Sequence, residues 1–236
     1  MRERLARLRS DESGFTLPEL LTAMAIGMVV LLAAFMLLDR AVSTSAELSD
    51  RQDSAQRGRV AMEVISRSLR SQVCLGDLQP ISAGNDNSVT FYANLSSNSD
   101  SADRRVIRYV ASEKRLYEDT YVGTGTFPDL TFSTTPTRRR ELAQPVQPIV
   151  DGTVTRPIFR YYRYVASSTT GALQQLTTPL SAADAPDVVL MKVGFSALPQ
   201  RKVERTTDVV DGTDFESDID VRLADPTRPA EGPRCL

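Results

Sequence analysis

The stretch "SGFTLPELLTAMAIGMVVLLAAFMLLDR", residues 13–40, decides how the rest of the chain is read. From Leu20 to Leu38 it holds 19 residues without a charge, close to the roughly 20 that cross a bilayer core as a helix. Glu19 stands at its head. A charge at the bilayer centre costs on the order of 2.5–3.5 kcal/mol and less near the interface, so this carboxylate needs a reason. Arg2, Arg4, Arg7 and Arg9 precede the run, and mostly acidic or neutral residues come after it. That asymmetry predicts the N-terminus in the cytoplasm and the bulk outside. A removable secretory signal has an apolar core of about 7–15 residues and a small-residue cut site. This run is longer and flows into a helical pattern, so it reads as an anchor.

The totals exclude much chemistry. The 236 residues are 41% hydrophobic and 25% charged, with a formal net charge of -2, which suits one ordinary domain plus an appended segment. A balance so close to neutral makes no global case for nucleic acid or an acidic substrate. There is no histidine, which removes Ser-His-Asp and Cys-His relays, His metal ligands and the usual physiological-pH switch. No nucleophile elbow, phosphate loop or metal motif is present, and the chain is not expected to be an enzyme or to need a cofactor.

Beyond the apolar run the pattern stays helical. Met62, Ile65, Leu69 and Val73 recur at three- and four-residue steps, with Arg59, Glu63, Arg67 and Arg70 between them. No proline interrupts Glu19 to Gln79, so a single helix is expected from Phe15 to Val73, about 90 Å long at 1.5 Å per residue. Gly58 is its expected weak point, at about 1 kcal/mol relative to Ala. After Gly76 come short β-rich runs split by Gly, Pro, Asn and Asp. "NSVTFYANL" (87–95), "RRVIRYVA" (104–111), "RLYEDTYV" (115–122), "RPIFRYYRYV" (156–165), "PDVVLMKVGFSAL" (186–198) and "FESDIDVRL" (215–223) read as strands. The second and third form a hairpin across "SEK". Val189, Met191, Val193 and Phe195 alternate cleanly. Along Phe159, Tyr161, Arg163 and Val165 an arginine interrupts the apolar face. Residues 96–103, 131–138 and 167–185 read as surface loops. The fold class expected is α+β: a long N-terminal transmembrane and amphipathic helix packed on an antiparallel sheet.

The heptapeptide "GFTLPEL", Gly14 to Leu20, resembles the type III signal of prepilins in the type IV pilin superfamily. There a short basic leader ends in Gly, followed by Phe, Ser or Thr, an aliphatic residue, a variable position, Glu and the apolar helix. The variable position is Pro18, which falls in the first helical turn, where a missing N–H costs little. The resemblance implies that a prepilin peptidase cuts between Gly14 and Phe15 and that Phe15 is N-methylated. It also gives Glu19 its reason. In a filament this carboxylate can neutralise the Phe15 amine of a neighbouring subunit, turning two costly buried charges into one pair. The organisation implied is a leader over residues 1–14, a transmembrane and filament-core helix over 15–38, its amphipathic continuation over 39–75, and an extracytoplasmic β-rich domain over 76–236.

Later segments extend the resemblance. "RVAMEVISRSLRSQV" (59–73), a strand, and then "VIRYVASEKRLYEDT" (106–120) are similar to the large minor pilins of W type and to J-type minor pseudopilins of type II secretion. The terminal "FESDIDVRLADP" is similar to W-type minor pilins. The function implied is that of a minor structural subunit at the filament tip or in assembly initiation. Its partners would be other pilin or pseudopilin subunits, the prepilin peptidase and the inner-membrane assembly platform. The rival within the family is a secretion pseudopilin. The rival of another class is a signal-anchored binding protein that never assembles.

Other clusters have plainer readings. Cys74 and Cys235, the two cysteines, are too far apart for a CxxC pair and can form one disulfide in an oxidising compartment. Arg138, Arg139 and Arg140 read as a solvated loop; without stacking aromatics beside them, nucleic acid enters as a partner only for a DNA-uptake filament. Arg160 to Tyr164 interleave cations and aromatics, as a strand with one buried face would. Asp208, Asp211, Asp214 and Glu216 offer oxygens of the kind calcium takes, but their spacing is not that of an EF-hand, and no metal is expected.

Overall fold

The computed structural model describes residues 15–76, 78–94, 101–165, 171–200 and 211–221. It divides into two compact units, residues 1–49 and 50–236. One α-helix, α1, runs Leu17–Arg70, three residues short of the expected C-terminal end. Its part in the first unit is exposed almost throughout.

From Asp50 onward, within the second unit, α1 acquires a buried face: Asp50, Ser54, Gly58, Ala61, Met62, Ile65, Ser68 and Leu69. The steps of three and four put them on one side of the helix. The face starts polar and small and becomes aliphatic, so its second half makes the apolar contacts.

Two antiparallel sheets complete the unit. The first has the order β1-β2-β3-β4-β7. Here β1 is Ile81–Asn85, β2 Ser88–Ala93, β3 Asp103–Val110 and β4 Arg115–Tyr121. A two-residue ribbon comes next, β5 (Gly123–Thr124) with β6 (Thr131–Phe132), and then β7, Arg138–Ala143. The β3–β4 hairpin expected across "SEK" is present, with Arg108 opposite Tyr117 and Val110 opposite Arg115. The segment expected as a loop over 131–138 instead contains β6 and leads into β7. The arginine triplet therefore sits on an edge strand, where backbone bonds to β4 hold it.

The second sheet has the order β12-β11-β13-β14, and β8 (Val146–Gln147) also pairs with β13. A ribbon of β9 (Val150–Asp151) and β10 (Val154–Thr155) precedes β11, Phe159–Tyr164. Then come β12 (Leu173–Gln175), β13 (Leu190–Ala197) and β14 (Thr213–Asp220). β12 lies in the stretch expected as a loop, and a 3-10 turn at Ala185–Asp187 takes up the first two residues of the strand expected over 186–198. β13 is central: β14 pairs with its whole length, while β11 and β8 share its other side. Seven of its eight residues are buried, which is why an alternating pattern alone understates it.

Helix and sheets share one apolar core. Ile65 and Leu69 of α1, Phe91 and Ile107 of the first sheet, and Phe159, Tyr161, Met191 and Phe195 of the second are all fully buried. At roughly 1.5–3 kcal/mol for each large side chain buried, this cluster is the main favourable contribution. Two close approaches fix its geometry. Gly58 lies under the Phe215 ring of β14, where a Cβ would stand 2.2 Å from Cε2 and 2.9 Å from the Ala197 Cβ. Gly58 is thus a packing requirement of the helix rather than its weak point. Gly84 of β1 meets the Tyr161 ring in the same way, with Cζ 2.5 Å from a built Cβ. The Tyr161 hydroxyl donates to the Ser88 carbonyl at 2.8 Å and the Asn85 carbonyl at 3.3 Å. That bond ties the β1–β2 hairpin to the second sheet.

Candidate functional site: the N-terminal helix

The first described residue is Phe15, outside the helix and 78% exposed. Thr16 is the cap: its carbonyl accepts from the amides of Glu19 at 3.0 Å and Leu20 at 3.1 Å. Leu17, Pro18 and Glu19 are the first three helical residues. Pro18 therefore occupies a position whose N–H has no helical partner in any case. The Thr16 hydroxyl donates to Glu19 Oε2 at 3.4 Å, and the Thr22 hydroxyl donates to the Glu19 carbonyl at 3.0 Å. Thr16-x-x-Glu19 thus has the spacing of a capping box, a signal legible in "TLPE" that the charge argument alone passes over. Glu19 lies where the helix dipole favours an anion. It also points into solvent beside Phe15, both groups being exposed.

Beyond this turn α1 is long and apolar enough to cross a membrane, and none of its most apolar window is buried. Phe15, Leu21, Met28, Val29, Phe35 and Leu37 are all more than half exposed. A core helix of a soluble protein passes the same length test but would bury these residues. The N-terminal helix therefore fits a single-pass membrane anchor.

Gly14 lies outside the described residues. Cys74 is disulfide-bonded, a few residues past the end of α1, and Cys235 lies outside the described residues. Val73, the next residue back, donates its amide to the Tyr92 carbonyl at 3.0 Å, so the chain leaves the helix directly onto β2.

The remaining candidates sit in structural roles. Asp208 lies outside the described residues. Asp214 and Glu216 point to the same side of β14, and Glu216 is held by Arg160 at 2.9 Å and Arg156 at 3.7 Å. No group of three or more potential ligands stands together among the described residues. In β11, Phe159 and Tyr161 form the buried face, and Arg163, which interrupts that face at the end of the strand, pairs with Asp184 at 3.2 Å. Burial pushes the Tyr161 hydroxyl well above its ordinary pKa, and the nearby Asp86 adds to the shift.

Two buried carboxylates on β4 escape sequence reading. Glu118 accepts from Arg105 at 3.1 Å and from the Ser68 hydroxyl of α1. Asp119, on the opposite face, accepts from Arg108 Nε at 2.8 Å and Arg139 Nε at 2.7 Å. Burial raises the Asp119 pKa, but hydrogen bonds from Arg139 and Arg108 outweigh it and hold the carboxyl below its ordinary value. Tyr117 lies beneath both guanidinium groups, with its ring centroid 5.2 Å from Arg108 and 5.7 Å from Arg139. These pairs bolt the first sheet together and join it to the helix.

The molecule is thus an α+β protein whose N-terminal helix is capped at Thr16–Glu19, uncharged for a membrane's thickness, and then built into a β-domain. Residues 9–35 match the prokaryotic N-terminal methylation motif. The match supports the type IV pilin superfamily. The motif implies processing by a prepilin peptidase and assembly with other pilins. A search of the curated proteins finds no match.

Proposed function

We propose that this chain is a minor, pilin-like structural subunit of a type IV pilus. The observation that carries the reading is a coincidence at one helix end. The methylation motif over residues 9–35 includes an exposed Phe15, and the first turn presents Glu19 at the head of an unburied apolar helix. Residues 1–14 are the leader, removed between Gly14 and Phe15 on the cytoplasmic side, and Phe15 is then N-methylated. Residues 15–38 cross the membrane and later enter the filament core. There Glu19 of one subunit meets the cationic Phe15 amine of its neighbour, and each relieves the other's burial cost. Residues 39–75 continue the helix into the extracytoplasmic β-domain of residues 76–236, which Cys74 and Cys235 close. A loop that long favours a disulfide worth about 3–5 kcal/mol. The bulk of the domain suits a place at the filament tip, where assembly starts.

Mass spectrometry of the mature protein tests the reading. A chain beginning at N-methylated Phe15 is expected. An intact Met1 would leave a plain signal-anchored protein, and a cut beyond Ala34 would make the apolar run a removed signal; either overturns the reading. Co-purification with a secretion pseudopilus rather than a retractable pilus would reassign it to the type II secretion branch.

A further inference from the structure

We propose that β7 takes up an extended acidic polypeptide segment as an added antiparallel or parallel strand. Among the described residues no strand pairs with the outer edge of β7, and Arg138, Arg139, Arg140 and Glu141 are all exposed. An open edge offers a row of backbone donors and acceptors that only another strand satisfies in full. The charges state what kind of strand. Arg139 is engaged by Asp119, but Arg138 and Arg140 make no ion pair among the described residues. Their register, opposite Thr120 and Glu118, puts them on the helix-side face, because Glu118 is the residue that bonds Ser68 of α1.

On that same face, beside the end of β7, a groove runs between strand and helix. Arg57 and Val60 of α1 and Leu142 and Ala143 of β7 line it, with Asp53 and the Arg115-paired Glu141 at its margin. Val60 is 55% exposed, and Arg57 Nη2 is buried without a hydrogen-bond partner. Two exposed guanidinium groups without an ion pair among the described residues, Arg138 and Arg140, thus stand along one open strand edge. An extended segment with a carboxylate at every second residue matches it: the backbone pairs with β7, and the carboxylates, all on the helix-side face, meet Arg138 and Arg140.

Arginines on an edge also repel indiscriminate pairing, and the bulge between Glu141 and Ala143 ends the regular ladder early. Four regular residues remain, and the same charges that reject a neutral or basic strand select an acidic one. Nucleic acid fits less well. Phosphates would use the cations but leave the backbone row unmatched, and the arginines nearest aromatic rings, Arg104, Arg108 and Arg139, are already occupied. The proposal concerns the β-domain alone and does not depend on the filament assignment.

The test uses the full chain in detergent micelles and a capped nonapeptide alternating glutamate and valine, monitored by fluorescence anisotropy. Saturable binding is expected, weakened about tenfold in R138Q/R140Q. N-methylating every second amide of the peptide should weaken it at least as much. No binding overturns the proposal. Equal binding of the N-methylated peptide reduces it to charge adsorption and overturns strand addition. A single-stranded oligothymidylate that displaces the peptide, and is itself lost in R138Q/R140Q, assigns the edge to nucleic acid instead.

Discussion

Gly58 of the helix and Phe215 of the last described strand are in direct contact, with no room for a methyl group between them. Helix propensity and packing therefore pull in opposite directions at this position. Alanine would gain about 1 kcal/mol as a helix former, whereas forcing a methyl into a filled site costs roughly 1–3 kcal/mol. The Ala197 Cβ, 2.9 Å from the built atom, is on the central strand and cannot swing aside. Gly58→Ala is expected to lower the thermal midpoint of the β-domain, and a rise would show that the Phe215 ring yields freely.

The carboxylate between Arg108 and Arg139 makes a pH-dependent contribution. Its pKa in the folded protein lies below the ordinary value, so its stabilisation is fully present above about pH 4. It is lost as pH falls through the folded pKa. Asp119→Asn is expected to destabilise at pH 7 by about 1–3 kcal/mol, since the arginines are partly solvated and recover some hydration. The gap in thermal midpoint between variant and wild type should shrink on acidification to about pH 3. A gap that is constant with pH would assign the loss to shape rather than charge.

Lys114 ends the β3–β4 turn with φ 52°, a conformation that costs a non-glycine residue about 1 kcal/mol. Its carbonyl still accepts the Val146 amide at 2.8 Å, so the backbone there is in use. Lys114→Gly should stabilise by about 0.5–1 kcal/mol, read from chemical denaturation. Lower stability would mean that the side chain contributes more than the strain removes.

Glu19 has two separable duties. As the third residue of the helix it accepts the Thr16 hydroxyl at 3.4 Å across the first turn; in the proposed filament it is also the partner of the Phe15 amine. Glu19→Gln keeps an acceptor for the cap and deletes the charge, while Glu19→Ala removes both. Both variants should still be cut after Gly14, as judged by mass spectrometry. If charge pairing governs assembly, both lose filament incorporation, as judged by immunoblots of sheared filaments. Normal incorporation of the glutamine variant would leave Glu19 with the cap alone.

The Tyr161 hydroxyl is a further local lever. Tyr161→Phe leaves the carbonyls of Ser88 and Asn85 without this donor in a dry site, at an expected cost of about 1–2 kcal/mol. Amide exchange in β1 and β2 should quicken before exchange in β13 does; uniform quickening would mean the bond is not local to the hairpin.

Legibility in the sequence depends on which signals are local. The helix, the "SEK" hairpin and the strands around Phe91, Tyr161 and Met191 announce themselves through period, turn residues and apolar alternation. β7 does not, because "RRRELA" on an exposed edge has almost no apolar residue to alternate. Glu118 and Asp119 look like two ordinary surface acids. Their burial depends on arginines on β3 and β7 and a serine on α1, brought together only by strand register. Gly58 misleads for the same reason, since propensity is a property of the segment and the Phe215 contact is not. At the N-terminus the reverse holds: cap, anion and uncharged run are contiguous, so the candidate site could be read almost entirely from "GFTLPEL" and the apolar run up to Leu38.

The contact between α1 and β14 also sets an order in time. The helix is among the first parts of the chain to leave the ribosome, while the strand that closes over Gly58 is made of residues 213–220. Until those residues are synthesised, the small polar and glycine stretch of the helix face has no cover from β14. The β-domain therefore completes its core only after residues 213–220 are made, well after the apolar segment has emerged. A chain truncated before Thr213 would be left unfinished, exposing to proteases a helix face that the intact protein covers with β14.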